Sequence, residues 1–287
     1  MAGLRTVLNR SESGVDQLLS EYAHENGYRV LVKMRLRDVI DASDFARNNR
    51  EKNFLWTSHV DFIIVDTSTN IPVLAVEYDG PSHTSASQVE RDQIKDRLCR
   101  KSGLPVLRID SSYARREGKW NVLKYILFIH DVGKAFIEAQ ESGYIPRDEP
   151  FIHYSILEPT HDGNSLSFTG LDMPAIRYLR RFRLEFGALW EREWWRSTDT
   201  HVETRLLLAL PGGLYLSAHC SVRDFVITGI SAVDISQELA GAELGWLARK
   251  FAMQSPVAIG KREALKILAE VKTWHMRSSW SAGKPVT

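Results

Sequence analysis

Along the first half of the chain the spacing of apolar positions changes repeatedly, and each change predicts an element. Val15, Leu18, Leu19 and Tyr22 recur on one side of a helix, opened by Ser11 or Ser13 and closed by Gly27. YRVLVKMRL, from Tyr28, then alternates as a strand does. The polar stretch from Asp38 to Asn53 is expected to be a loop. Two strongly apolar runs follow, VDFIIVD from Val60 and IPVLAVEY from Ile71, joined by the turn-like TSTN. The segment from His83 to Gly103 reads as a helix, LPVLRI as a short strand, and NVLKYILFIHDVGKAFIEA as a long helix. Short links between the first three strands predict an antiparallel meander. A helical crossover to the fourth predicts a mixed sheet flanked by helices, an α/β domain.

ESGYIPRDEP at 141–150 combines Gly143, Pro146 and Pro150 with charges, so the domain boundary is expected there, between 1–145 and 150–287. Beyond it, DMPAIRYLRRFRLEFGALWEREWWR is expected as one helix entered through Pro174 and carrying Trp190, Trp194 and Trp195. VETRLLLALPGGLYLSAHCSVRDFVITGISAV reads as three strands with PGG as a turn. Two more helices are expected, in ISQELAGAELGWLARKFA and KREALKILAEVKTW. This second half is expected to be an α+β domain.

Composition narrows the class. The chain has 287 residues, 44% hydrophobic and 25% charged, as globular proteins do. A net charge of +1 speaks against a histone-like DNA binder. No apolar run approaches the roughly 20 residues a membrane helix needs, and MAGLRTVLNR lacks the core of a signal peptide. Cys99 and Cys220 fit no metal or disulfide framework. A cytoplasmic protein with two reduced thiols and no membrane contact is expected.

Within the apolar runs, two carboxylates are out of place. Asp61 and Glu77 sit on neighbouring strands that should be buried, where an unpartnered charge is costly. Period-two alternation puts Asp61 on a face with Ile63 and Val65, and Glu77 on a face with Val73, Ala75 and Asp79. In suitable register they would meet, and a hard divalent cation, Mg²⁺ or Mn²⁺, would account for both. If that charge is unpaired without metal, neutralising it should raise stability in metal-free buffer. Asp79 is as readily the first residue of an Asp-Gly turn.

DF at 61–62, VEYDGPSH at 76–83, RDQIKDRL at 91–98 and GLPVLRI at 103–109 together resemble the PD-(D/E)XK nuclease superfamily, with its restriction-endonuclease-like fold. The resemblance is nearest to an uncharacterised bacterial nuclease-like family related to very short patch repair endonucleases, and it covers the first half only. It implies an Mg²⁺-dependent DNA endonuclease with Asp61 and Glu77 as metal ligands, Asp16 as a possible accessory carboxylate, and Asp79 and His83 beside them. The superfamily motif ends in lysine where this chain has Asp79. Either that lysine's task has moved, with Lys95 first candidate and Arg91 second, or the domain has lost activity. Lys95 and Arg91, four apart on one helix face, are also candidate phosphate contacts.

In the second half, Arg177, Arg180, Arg181 and Arg183 interleave with Tyr178 and Phe182, as a phosphate-binding or simply amphipathic helix face would. A homodimer or a partner protein held through this domain is a further expectation. The alternatives to an endonuclease are a non-catalytic nucleic-acid-binding module on a degenerate nuclease fold, or an interaction subunit of a larger defence or repair complex.

Overall fold

A computed structural model describes residues 5–42, 48–79, 86–159 and 166–281. Helix α1 (Arg10–Glu25) is capped by Asn9 rather than by Ser11 or Ser13. The Asn9 side chain accepts from the Glu12 N–H, and the Glu12 carboxylate accepts from the Asn9 N–H, both at 2.9 Å. This reciprocal pair satisfies two donors that the first helical turn leaves open. Strand β1 (Tyr28–Arg35) follows Gly27, whose φ of 75° lets the chain turn back sharply.

The expected loop from Asp38 to Asn53 contains structure. After α2 (Leu36–Val39) comes α3 (Asn49–Thr57), capped by Asn48, whose side chain accepts from the Glu51 N–H at 2.9 Å. Few apolar residues mark α3, yet Phe54 and Leu55 suffice to anchor it on the core. Strands β2 (His59–Asp66) and β3 (Pro72–Tyr78) flank a turn held by the Asp66 carboxylate, which accepts from the N–H groups of Ser68 and Thr69. Helix α4 (Ala86–Lys101) then leads to β4 (Val106–Ile109).

These strands form one sheet in the order β1-β2-β3-β4. The first three pair antiparallel and β4 pairs parallel to β3, so the sheet is mixed and the architecture is α/β. Ile63, Val65 and Ala75 on one face pack with Phe54 and Leu55 of α3 and with Ile94, Leu98 and Cys99 of α4. Burial pushes the Cys99 thiol up to about 12, which leaves it inert.

Strands β5 (Arg116–Glu117) and β6 (Trp120–Asn121) form a short hairpin ahead of α5 (Val122–Glu141). The chain divides into two compact units here, earlier than the expected boundary. One unit holds Met1–Arg115, Asn121–Leu127 and Phe225–Ile227; the other holds Arg116–Trp120, Phe128–Asp224 and Thr228–Thr287. The 141–150 stretch is a largely exposed loop inside the second unit. Its Gly, Pro and charge content is what any surface loop carries, so composition did not separate loop from linker.

The second unit continues with β7 (Leu157–Pro159), β8 (Leu166–Phe168) and α6 (Met173–Glu185). Strands β9 (Trp190–Ser197), β10 (His201–Leu210) and β11 (Leu214–Arg223) follow; β12 (Val226–Ile227) belongs to the first unit, and β13 (Ile230–Ser231) is again in the second. The chain goes on through α7 (Ala232–Ala252), β14 (Ile259–Gly260), α8 (Lys261–Glu270) and β15 (His275–Ser281). A five-stranded antiparallel sheet runs β14-β11-β10-β9-β15. Leu206, Leu208 and Leu210 face α6 and α7, while Leu207 and Trp194 face α8 and Trp274.

The single helix expected from Asp172 to Arg196 is therefore two elements. It stops at Glu185, Gly187 takes φ 61°, and Trp190, Trp194 and Trp195 lie on a strand. The tryptophans follow the pleat of β9 rather than the stripe of α6, an alternation the helical reading overrode.

Candidate active site

Strand register gathers charge at one level of the first sheet. The pairs Phe62–Val76, Ile63–Ala75 and Ile64–Leu74, continued by one residue, bring Asp61 opposite Glu77. Across β1, Lys33 stands opposite Asp61, between the pairs Val32–Phe62 and Met34–Val60. On the other side Glu77 pairs with Arg108 of β4. The row therefore reads Lys33, Asp61, Glu77, Arg108, two carboxylates between two cations.

Each carboxylate is tied down. Asp61 Oδ1 accepts from Lys33 Nζ at 2.6 Å and its Oδ2 from the Tyr78 N–H at 2.9 Å. Glu77 Oε1 accepts from Lys95 Nζ at 2.7 Å, and Lys95 also donates to the His59 carbonyl at 2.9 Å. Arg108 donates to Asp96 at 2.7 Å and lies 3.4 Å from Asp92, both on α4. These ion pairs explain how so apolar a sheet holds so many charges, since a buried charge is tolerated when paired and hydrogen-bonded.

Protonation follows the same geometry. Burial pushes the Glu77 carboxyl up to about 6; Lys95 opposes the shift, Asp61 adds to it and Arg108 opposes it. Burial works against the Lys33 ammonium, but the hydrogen bonds it donates to Asp61 and Glu12 outweigh it and raise its pKa. Arg108 is likewise raised: burial disfavours its charge, and Asp96 and Asp92 overcome that.

Of the residues singled out from sequence, Asp61, Glu77 and Lys95 come together. Asp79 is buried at the end of β3, its N–H donating to the Ile109 carbonyl at 2.7 Å. Arg91 remains exposed on α4, its guanidinium carbon 5.8 Å from the centre of the Phe54 ring. His83 lies outside the described residues. The carboxylate that α1 contributes is Glu12, one turn before Asp16: Glu12 Oε1 accepts from Lys33 Nζ at 2.8 Å. Sequence reading missed Glu12 and Lys33. Asn9 followed by Glu12 is a legible cap, and Lys33 is the charge inside YRVLVKMRL, but only strand register sets it against Asp61.

Among the described residues no three His, Cys, Asp or Glu side chains gather into a cation site. Two hard carboxylates are what Asp61 and Glu77 offer. Such a donor set suits a cation that keeps much of its own shell, as Mg²⁺ does, and not one that requires a full protein cage. In the second unit, Arg183 is paired with Glu191 at 2.6 Å, Arg177 donates to Ser167 at 2.6 Å, and Arg180 and Arg181 are exposed. Trp194 and Trp274 are buried core residues there. No helix among the described residues is long and apolar enough to cross a membrane.

Residues 4–124 match a family described as "Protein of unknown function (DUF2726)", which takes in α1 to β4 and every residue of the charged row. An "Uncharacterized protein" of Haemophilus influenzae is 27% identical over 131 residues, covering 43% of this chain and 65% of that relative, under two thirds of its length. No solved structure matches.

Proposed function

We propose that the first unit is a metal-dependent DNA endonuclease of the PD-(D/E)XK type. The observation that carries this reading is the placement of Asp61 and Glu77 one residue beyond the Phe62–Val76 pair of β2 and β3, with Lys95 at 2.7 Å from Glu77 although it comes from a different element. A lysine at that carboxylate is what the superfamily motif asks for, and the motif position itself holds Asp79. Asp61 and Glu77 would hold Mg²⁺ or Mn²⁺, which supplies Lewis acidity and neutralises charge at the scissile phosphate. Lys95 keeps a positive charge fixed beside that phosphate, where preorganisation makes it effective.

The test is incubation of the full chain with plasmid and linear DNA in Mg²⁺, Mn²⁺ or EDTA. Nicking or linearisation is expected with metal, and none with EDTA or in Glu77→Gln and Asp61→Asn. Cleavage by either variant at the wild-type rate would remove that residue from the ligand set. A second reading, a nucleic-acid-binding module without turnover, is favoured by one feature: each carboxylate already has a lysine, so the row is balanced with no cation. DNA binding with no cleavage in either metal would select it.

A further inference from the structure

Both oxygens of Asp61 are engaged, Oδ1 by Lys33 and Oδ2 by the Tyr78 N–H. A cation ligated by Asp61 must therefore compete with an ammonium on the same carboxylate. Lys33 occupies that place at a cost to its backbone. Its φ is 51°, in the left-handed region that a side chain's β-carbon disfavours. Backbone held this way by its surroundings is a mark of functional positions.

Lys33 also has a second partner ready. Its Nζ lies 2.8 Å from Glu12 Oε1, while Glu12 Oε2 accepts from the Asn9 N–H at 2.9 Å. The cap of α1 thus holds Glu12 in place whether or not Lys33 stays on Asp61. The Lys33 side chain is 31% exposed and the Glu12 side chain 11%, so the ammonium has room to shift while its acceptor stays put.

We propose that Lys33 is a built-in counter-ion of Asp61, which gives up this carboxylate when a divalent cation binds and keeps Glu12 as its resting partner. Metal-free, the row stays neutral and folded. With a cation present, repulsion drives the ammonium toward Glu12, and neither charge is left unpaired. The role is one of positioning and of setting cation affinity, and it rests on the nuclease reading above.

Mn²⁺ titration of the DNA-free full chain, followed by the electron paramagnetic resonance of free Mn²⁺, tests it, with Asp61→Asn as background. Lys33→Met keeps bulk and removes the competitor, so Asp61-dependent Mn²⁺ affinity should rise by about tenfold, the scale of one charge-assisted hydrogen bond. Glu12→Gln removes the resting partner and should weaken Mn²⁺ binding. The double variant should match Lys33→Met alone, because Glu12 acts only through Lys33. Lys33→Asn, which tolerates the left-handed backbone, serves as the second neutral variant if Lys33→Met does not fold.

Equal Asp61-dependent affinity in wild type and neutral variants overturns the proposal and leaves the nuclease reading standing. A Glu12→Gln defect that persists without Lys33 makes Glu12 a ligand and also overturns it. Absence of Asp61-dependent binding in every protein removes the metal reading itself, and the counter-ion role with it.

Discussion

Lys95 Nζ lies 2.7 Å from Glu77 Oε1, an ion pair whose side chains are each only 10% exposed. Removing the cation should hurt chemistry more than binding. Lys95→Ala is expected to lower single-turnover DNA cleavage by ~10²-fold or more, the scale of one preorganised stabilising group. DNA affinity in a filter-binding assay should change much less, since one phosphate contact is a small part of the total. An equal fall in both would make Lys95 a backbone contact instead.

The same pair bears on the stability expected for Glu77→Gln. Lys95 pairs with Glu77, yet burial still pushes the carboxyl up to about 6 from 4.5, so desolvation outweighs the pairing. The folded state holds this proton more tightly than the unfolded chain, so the cost is absent below 4.5 and complete above about 6. Urea unfolding in metal-free buffer at about pH 8 should show Glu77→Gln at least as stable as wild type, with the advantage lost near pH 4. A variant clearly destabilised at the higher pH would show that the ion pair with Lys95 outweighs the desolvation cost.

Asp172, at the start of α6, makes the second unit sensitive to pH. Burial, reinforced by the Glu238 carboxylate and Glu193 and opposed by Arg277, pushes its carboxyl up to about 7 from an unfolded value of 3.8. The folded state holds this proton more tightly, so the penalty is absent below the unfolded value and complete above about 7. His153, 2.8 Å from Glu238, acts in the same direction: burial opposes its charge, the Glu238 hydrogen bond outweighs that, and its raised pKa stabilises the fold at low pH. Thermal stability should fall as pH rises from 4 to 8. Asp172→Asn should flatten the profile and add about 1–2 kcal/mol at pH 8. A parallel pH profile in the variant would show that Asp172 is not the group responsible.

Limited proteolysis should cut first in the exposed 141–150 loop, yet the cut should not release a domain. On its N-terminal side, Phe136 of α5 packs edge-on against Phe151 at 5.3 Å, and His130 Nδ1 lies 3.3 Å from the Thr228 carbonyl. These contacts lie inside the second unit, so the nicked chain should elute from gel filtration as one species. Separate elution of two fragments would move the boundary back to 141–150.

Local chemistry made much of the fold readable. The apolar runs VDFIIVD and IPVLAVEY, the TSTN turn between them, the alternation of YRVLVKMRL and the periodic stripe of α1 each follow from spacings of a few residues, which is why the mixed sheet could be anticipated. Asp61 and Glu77 were legible because a carboxylate inside an apolar strand conflicts with its surroundings. What spacing could not supply was partnership across the sheet. The turn of α6 into β9, the small α3 and the position of the unit boundary depend on packing that a linear pattern does not carry. Lys33 and Glu12 look like an ordinary strand lysine and an ordinary cap. Only the pairing of β1 with β2, and the packing of α1 against β1, sets one ammonium between two carboxylates, because charges far apart in the chain acquire chemistry only when register brings them within hydrogen-bond reach.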